Sequence, residues 1–392
     1  MVTALAYVLI VVPIGLGFYT YIGYPAVLWL LRKLRGEERR PDLGDWPAIS
    51  ITVPAYNEEG QIRGTLDSLL RTDYPAEKRQ ILVVSDASTD RTDEIVSEYA
   101  DRGVELLRVT ERKGKGAAEN AAAAHLTGEI VVNTDASIRI RPDSLKPLIA
   151  AFSDPAVGLA SGCDLSVANV NDDANQGESG YVGYEMWIRQ LETSLSGIVG
   201  ASGCFYAIRT HLHREPLPEH VSRDFAAAIV AREHGYRAVS VDEATCLVPR
   251  THSLKKEYRR KVRTMTRGME TLWFKRALLN PWRYGIFSWM LFSHKVCRWL
   301  LPWTLPIALV GLAMLAVSST AGLILFALTL AGLAAGAVGW IYAERPSLPG
   351  FLSLPAFALA SNVAALQAGV RVMRGVQNAM WEPTRREVIA QP

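Results

Sequence analysis

The chain has little cysteine and almost no net charge: four cysteines among 392 residues, and a formal charge of +3. Cys163, Cys204, Cys246 and Cys297 form no C-x-x-C pair. That spacing excludes a zinc knuckle and a disulfide framework, and it suits a reduced cytosolic compartment. The near-neutral balance provides no concentrated basic surface, so nucleic acid is not an expected partner. The apolar N-terminus has no basic stretch before it and no small-residue cleavage site after it. It is therefore expected to stay in place as an anchor rather than be removed as a signal peptide.

Apolar residues, in contrast, make up 49% of the sequence. No charge interrupts Ala4 to Leu31, which at about 1.5 Å per residue exceeds a hydrocarbon core of roughly 30 Å. Tyr19, Tyr21 and Tyr24 suit the interface. Arg32, Lys33, Arg35, Arg39 and Arg40 follow, which places the next segment in the cytoplasm by the positive-inside rule. Trp299 to Val317 and Ala321 to Tyr342 are each long enough to span, and Phe351 to Val370 is a third candidate weakened by Pro355, Asn362 and Gln367. Arg371, Arg374, Arg385 and Arg386 favour the cytoplasm for the tail, whereas one anchor and three later spans put it outside. These opposed signals leave the last segment either re-entrant or interfacial, or spanning with the tail's charge overridden by packing. Pro281 to Arg298 interleaves Trp282, Phe287, Trp289 and Phe292 with Arg283, His294 and Lys295, the composition of an amphipathic interface segment. The expected division is an anchor over 1–34, a cytosolic domain over 45–280, an interface segment over 281–298, two or three spans over 299–371 and a basic tail over 372–392.

Within the central domain, short β-branched runs alternate with amphipathic stretches, the pattern of a parallel α/β sheet. Strands are expected at Ile49 to Val53, Ile81 to Ser85, Val104 to Val109, Ile130 to Thr134 and Val157 to Gly162, with strand-like runs at Ile198 to Ile208 and Arg237 to Val241. Ile62, Leu66, Leu69 and Leu70 recur at helical spacing, Ser88, Thr89 and Asp90 offer caps for a following helix, and Ala117 to Leu126 reads as a small-residue helix. Asp86 and Asp135 fall at strand ends, where ligands of open α/β sheets bind. The pattern is that of a nucleotide-using enzyme on a membrane.

Several motifs fall in order along this domain: Val53-Pro54-Ala55-Tyr56-Asn57-Glu58-Glu59, Val83-Val84-Ser85-Asp86, Lys113-Gly114-Lys115-Gly116, Thr134-Asp135-Ala136-Ser137, Ala201-Ser202-Gly203, Ser222-Arg223-Asp224 and Arg259-Arg260-Lys261-Val262-Arg263. Together they resemble a glycosyltransferase family 2 domain of the GT-A fold, in its membrane-embedded, polysaccharide-synthase-like branch. The resemblance implies an α/β fold with a nucleotide-binding mixed sheet flanked by helices and transmembrane helices at both ends. It also implies inverting transfer of a sugar from a nucleotide-sugar donor, such as a UDP-sugar, to a lipid-linked or growing glycan at the cytosolic face of the inner membrane. By the same resemblance Pro54, Tyr56, Asn57 and Glu58 hold the nucleobase, and Asp86 accepts from base or ribose. Lys113 and Lys115 meet the diphosphate, Asp135 holds a divalent cation (Mg2+ or Mn2+), and Asp224 is the catalytic base.

Family members place a second acid two positions after the metal-binding aspartate; here that position is Ser137, a weaker ligand for a hard cation. His252 and Asp164 are further candidates for that shell. Arg223 stands where relatives often carry another acid, and it could lower the pKa of Asp224 or pair with a phosphate. Gly203 and Glu185 are expected on the acceptor side, with Glu178, Glu185 and Glu192 on one helix beside Tyr181 and Tyr184; a solvated face with Glu185 paired to Arg189 is the other reading of that helix. Arg260 and Arg263 occupy the region where processive relatives carry Q-x-x-R-W, here without the Gln and Trp, so they are expected to meet diphosphate or anionic lipid. Two other functions fit the same residues: transfer of one sugar to polyprenyl phosphate, and a nucleotide-binding pseudo-transferase that organises polysaccharide export partners.

Overall fold

The computed structural model describes residues 2–35, 45–167, 176–249, 253–343 and 350–376, with side chains for all of these except 166–167, 176–181 and 350. His252, the side chains of Glu178 and Tyr181, and Arg39, Arg40, Arg385 and Arg386 lie outside the described residues.

Eight strands form one mixed sheet: β1 (Ile49–Ala55), β2 (Arg79–Ser85), β3 (Val104–Arg108), β4 (Ile130–Thr134), β5 (Arg139–Ile140), β6 (Val157–Val167), β7 (Phe205–Arg209) and β8 (Arg237–Pro249), in the order β3-β2-β1-β4-β7-β6-β8-β5. The first four adjacent strands are parallel, β7 runs antiparallel to both β4 and β6, and β6 pairs parallel with β8. Every residue of β1 is buried, as expected for a parallel strand covered on both faces.

The helices are α1 (Val2–Phe18), α2 (Tyr24–Arg35), α3 (Ile62–Leu70), α4 (Thr92–Ser97), α5 (Lys115–Ala122), α6 (Leu145–Ala150), α7 (Gln176–Thr193), α8 (Thr210–His213), α9 (Arg223–Glu233), α10 (Leu254–Phe274), α11 (Pro281–Tyr284), α12 (Ile286–Leu291), α13 (Cys297–Ser318), α14 (Thr320–Ile341) and α15 (Gly350–Met373). On one face of the sheet Ile62, Leu66 and Leu69 of α3 share a buried cluster with Ile49, Ile51 and Val53, which Leu145, Leu148 and Ile149 of α6 extend over β6 and β8. On the other, Ala118 and Ala122 of α5 lie over β1 and β2 in a buried cluster with Leu82, Val84 and Val131, and Ala227 and Ala231 of α9 extend that cluster over β6 and β8 with Leu159 and Ala238, small side chains bringing helix backbone close to sheet.

Four helical stretches among the described residues are long and apolar enough to cross a membrane: Val2–Arg35, Ile286–Ser318, Thr320–Ile341 and Phe351–Met373. A third cluster joins them to the domain, with Tyr24 and Leu28 of α2, Ile188 and Leu191 of α7, Phe225 of α9, and Phe287 and Met290 of α12 in contact.

The third C-terminal candidate is a helix as complete as the other two, within the two or three expected. Elsewhere the structure departs from the sequence reading. The segment read as an interface strip runs through a π-helical turn (Phe292–Val296) straight into α13, and His294 within it is 1% exposed. Ile198 to Cys204 is not strand, because Gly197 takes a left-handed φ of +104° and Ser202 donates its backbone N–H to the Ser161 hydroxyl instead of a ladder. β6 and β8 run well past the expected lengths, and α5 stops at Ala122. Asp90 serves α4 through Thr92 N–H, 3.0 Å away, though Arg91 occupies the cap position.

Candidate active site

Asp135 follows the last residue of β4 directly, so the strand's register fixes where its carboxylate emerges. Oδ1 lies 2.5 Å from the ammonium of Lys115, the first residue of α5, and Lys115 also stands 3.4 Å from the Gly203 carbonyl and 4.0 Å from Glu119. Burial alone would lower the Lys115 pKa; the carboxylates of Asp135, Glu119 and Asp224 outweigh it and hold the amine firmly protonated. Oδ2 of Asp135 takes no hydrogen bond among the described residues.

Asp224 sits in the first turn of α9. Its Oδ1 accepts from the Ser222 hydroxyl and from Phe225 N–H at 2.8 Å. Oδ2 is turned toward Gly203, so closely that a Cβ there would lie 2.6 Å from it. The glycine is required by the aspartate itself. One oxygen is thus pinned and the other faces the space between α9 and the Ala201 to Cys204 loop.

These groups share one cavity of about 690 Å³. It is lined by Glu58, Lys115, Glu119, Asp135, Ser137, Asp164, Ser202, Gly203, Arg223 and Asp224, then by Arg260 and Arg263 of α10, and finally by Glu185 and residues of α13 and α15. The cavity therefore begins at the strand ends and finishes between α13 and α15.

Arg223 does not fold back on Asp224. Its guanidinium donates to Asn120 Oδ1 and the His213 carbonyl, each at 2.5 Å, and stands 3.9 Å from Glu119. Glu119 is 2% exposed, its Oε2 has no hydrogen-bond partner, and burial raises its pKa against the opposing pull of Lys115 and Arg223. Its spacing of four from Lys115 on one helix is the signal the sequence carries for it. Tyr206 was missed altogether: its buried hydroxyl, also without a partner, lines the same cavity.

The proposed nucleobase residues lie at the neighbouring strand ends, and of these only Glu58 lines the cavity. Pro54 belongs to β1. Arg112 stacks its guanidinium 3.8 Å over the Tyr56 ring. Asn57 and Ala87 both have positive φ, +53° and +55°, and Asn57 Oδ1 accepts from Thr89 N–H at 2.8 Å, tying the two strand ends together. Asp86 is buried, and its two oxygens accept from Lys113 N–H at 2.9 Å and Gly114 N–H at 2.8 Å. Those two amides at the start of the Lys113-Gly114-Lys115-Gly116 run donate to Asp86. Lys113 itself is exposed and 3.5 Å from Glu111, so Lys115 alone of the pair enters the cavity.

Glu185 and Glu192 are buried rather than on a solvated face. His294 lies between them, with Nε2 2.9 Å from Glu185 and Nδ1 2.6 Å from Glu192; Arg298 donates to Glu185 at 2.6 Å and Tyr24 to Glu192 at 2.5 Å. Arg189 is 3.8 Å from Glu185, so the helical pairing is present but secondary. Tyr184 donates to the Tyr21 carbonyl at 2.9 Å. Arg260 pairs with Glu257 at 2.7 Å.

For a divalent cation, the cavity offers the open Oδ2 of Asp135 and the Ser137 hydroxyl. No group of three or more His, Cys, Asp or Glu that could hold a metal exists among the described residues. The donor set is too small for an ion held by protein alone and fits one that arrives on phosphate oxygens.

Sheet, cavity and apolar helices together define an α/β protein whose cleft lies at the strand ends and whose terminal helices are apolar enough to cross a membrane. Residues 50–214 match the sequence profile of glycosyl transferase family 2, and the chain carries a family 2 glycosyltransferase domain. The fold is shared with a mannosyltransferase from Pyrobaculum calidifontis solved with GDP-Man and Mn2+, at a TM-score of 0.71 and 24% identity over 96% of this chain and 100% of that one. Similar curated proteins include a beta-monoglucosyldiacylglycerol synthase of Nostoc sp., 29% identical over 47% of this chain and 40% of the relative. An N-acetylglucosaminyltransferase of Rhizobium sp. is 32% identical over 32% of this chain and 29% of that protein. The matched segments thus span less than half of these relatives' lengths.

Proposed function

We propose that the protein is an inverting glycosyltransferase that moves a sugar from a nucleotide-sugar donor, taken to be a UDP-sugar, onto a lipid-linked or growing glycan at the cytosolic face of the membrane. The observation that carries this reading is the single cavity in which Asp135 and Asp224 meet and which continues among α13 and α15. The relatives' names, a glycolipid synthase and an N-acetylglucosaminyltransferase, agree with a sugar donor and a lipid or glycan acceptor.

In this reading Oδ2 of Asp224 takes the proton of the acceptor hydroxyl as that oxygen attacks the anomeric carbon. Ser222 holds the other oxygen, so the base keeps one orientation. Lys115 places a fixed positive charge where the diphosphate departs, in a site where burial strengthens it. Asp135 and Ser137 would hold a Mg2+ or Mn2+ ion, which when bound neutralises charge on the leaving diphosphate. Arg260 and Arg263 face the same cavity from α10 and suit the donor phosphates. Pro54, Tyr56, Asn57 and Asp86 shape the nucleobase end through the strand-end geometry.

The test incubates purified protein in detergent with labelled UDP- and GDP-sugars and lipid acceptors, with and without manganese, beside Asp224→Asn. Wild type should release nucleoside diphosphate and label the acceptor. Equal, slow release by wild type and variant under every condition would overturn the reading.

A further inference from the structure

We infer that Lys115 holds the place of a divalent cation at Asp135, and that Glu119 receives its ammonium when the cation arrives with the donor. Glu119 is thus a positioning residue for donor binding. This rests on the transferase reading above and adds to it an exchange of one positive charge for another at a single carboxylate.

Two cations have a claim on Asp135. Its Oδ1 lies 2.5 Å from the Lys115 ammonium, and its Oδ2 takes no hydrogen bond among the described residues. A dication on Oδ2 stands beside an ammonium on the same carboxylate, and the two repel in a site where burial leaves little screening. One of them has to move. Lys115 is the group that can, because its charge sits at the end of a flexible four-carbon stem.

Glu119 is placed to receive it. Four residues on, it shares a face of α5 with Lys115, and its Oε1 is 4.0 Å from the ammonium. A shift of about 1 Å closes that gap to an ordinary charged hydrogen bond. The backbone need not follow, since the helix start is tied to Asp86 through Gly114 N–H at 2.8 Å. The Gly203 carbonyl, 3.4 Å from the ammonium, can hold another of its hydrogens meanwhile. Glu119 is also short of donors: its side chain is buried, and Oε2 has no hydrogen-bond partner. A buried carboxylate in that state destabilises a fold that uses it only for packing. An ammonium arriving from Asp135 supplies the missing donor.

The neighbouring groups cannot take either part. Arg223 is held by Asn120 Oδ1 and the His213 carbonyl, each at 2.5 Å, and its Nε stays 3.9 Å from Glu119 Oε2. It gives Glu119 a fixed counter-charge without filling its hydrogen-bonding capacity. Asp224 has Oδ1 engaged by Ser222 and Phe225 N–H, and Oδ2 turned toward Gly203.

The test titrates UDP into the full chain in detergent by calorimetry, with manganese and with EDTA, and reads the ratio of the two dissociation constants. In wild type, manganese should tighten binding by about tenfold or more. Glu119→Gln should reduce that gain to about threefold or less, with metal-free binding within about threefold of wild type. In the Lys115→Met background the gain should be at least that of wild type, and adding Glu119→Gln should change it by less than about threefold, because no ammonium has to move. An equal loss of the gain in both backgrounds would overturn the inference, since Glu119 would then act through its own charge or through the fold. A gain undiminished in Glu119→Gln would also overturn it, as would a smaller gain in Lys115→Met than in wild type, or loss of metal-free binding in Glu119→Gln. Release of UDP from UDP-sugars by the same wild-type preparation reports separately on the transferase reading: turnover without a manganese gain leaves that reading standing and removes the exchange.

Discussion

The ammonium of Lys115 lies 2.5 Å from Oδ1 of Asp135, so the strand-end carboxylate of this cleft meets a lysine of the chain itself before it meets any ligand. A cation so placed acts on charge that develops at a departing diphosphate. Lys115→Met is expected to lower kcat by about 10²- to 10³-fold, the range seen when one preorganised donor is removed. Asp135→Ala is expected to weaken manganese-dependent nucleotide binding while leaving the fold intact. Steady-state turnover checks the first, and calorimetric titration with nucleoside diphosphate, with and without manganese, checks the second; unchanged binding in Asp135→Ala removes that residue from the metal site.

Asp224→Asn tests the base. The amide keeps the size of the side chain and can still accept from Ser222, but it cannot take a proton. Loss of about 10²- to 10⁴-fold in kcat with little change in donor KM is expected. A variant within threefold of wild type would assign proton removal elsewhere.

Gly203 is tied to Asp224 by space. A methyl group there would lie 2.6 Å from Oδ2, inside any real carbon–oxygen contact. Gly203→Ala should therefore move the carboxylate and lower turnover at least tenfold, with only a modest loss of thermal stability. Gly60, which has nothing within 4 Å of the same added atom, supplies the control: Gly60→Ala should change stability by no more than about 0.5 kcal/mol. Equal effects of the two substitutions on turnover would break the link between Gly203 and the base.

Much of the fold was legible because β-branched runs mark strands wherever a parallel sheet is buried on both faces, as at Ile49 to Val53 and Ile130 to Thr134. The two aspartates were legible for the same reason: a strand end or a helix start fixes their position. What escaped was set by tertiary contact. Ile198 to Cys204 has strand-like composition, yet the left-handed φ at Gly197 and the Ser161 hydroxyl hold it as a loop. Asp86 is expected at base or ribose, and the sequence did not show that its two oxygens also accept from the backbone of a turn that no local pattern ties to it. Lys295 read as part of an interface strip, because the sequence does not reveal that a π-helical turn swings it into the domain.

The Glu185 carboxylate connects stability to pH at the junction of domain and membrane. Burial would raise its pKa, but His294, Arg298 and Lys295 outweigh that and hold it well below the ordinary value. A carboxyl whose pKa is lower in the folded state contributes stability that is fully present above its unfolded value, about 4.3, and disappears as pH falls through the folded value. Glu185→Gln removes the charge at every pH and leaves Arg298 and His294 facing a neutral amide. At pH 7 it should destabilise by about 3 kcal/mol, the cost of breaking one side of a buried pair. The gap between wild type and variant should stay constant down to about pH 4.3 and then narrow. Thermal melts of both proteins in detergent across that range check the sign: a gap that widens on acidification would mean that Glu185 is already protonated in the folded chain, and the pairing with Arg298 would then be a neutral hydrogen bond.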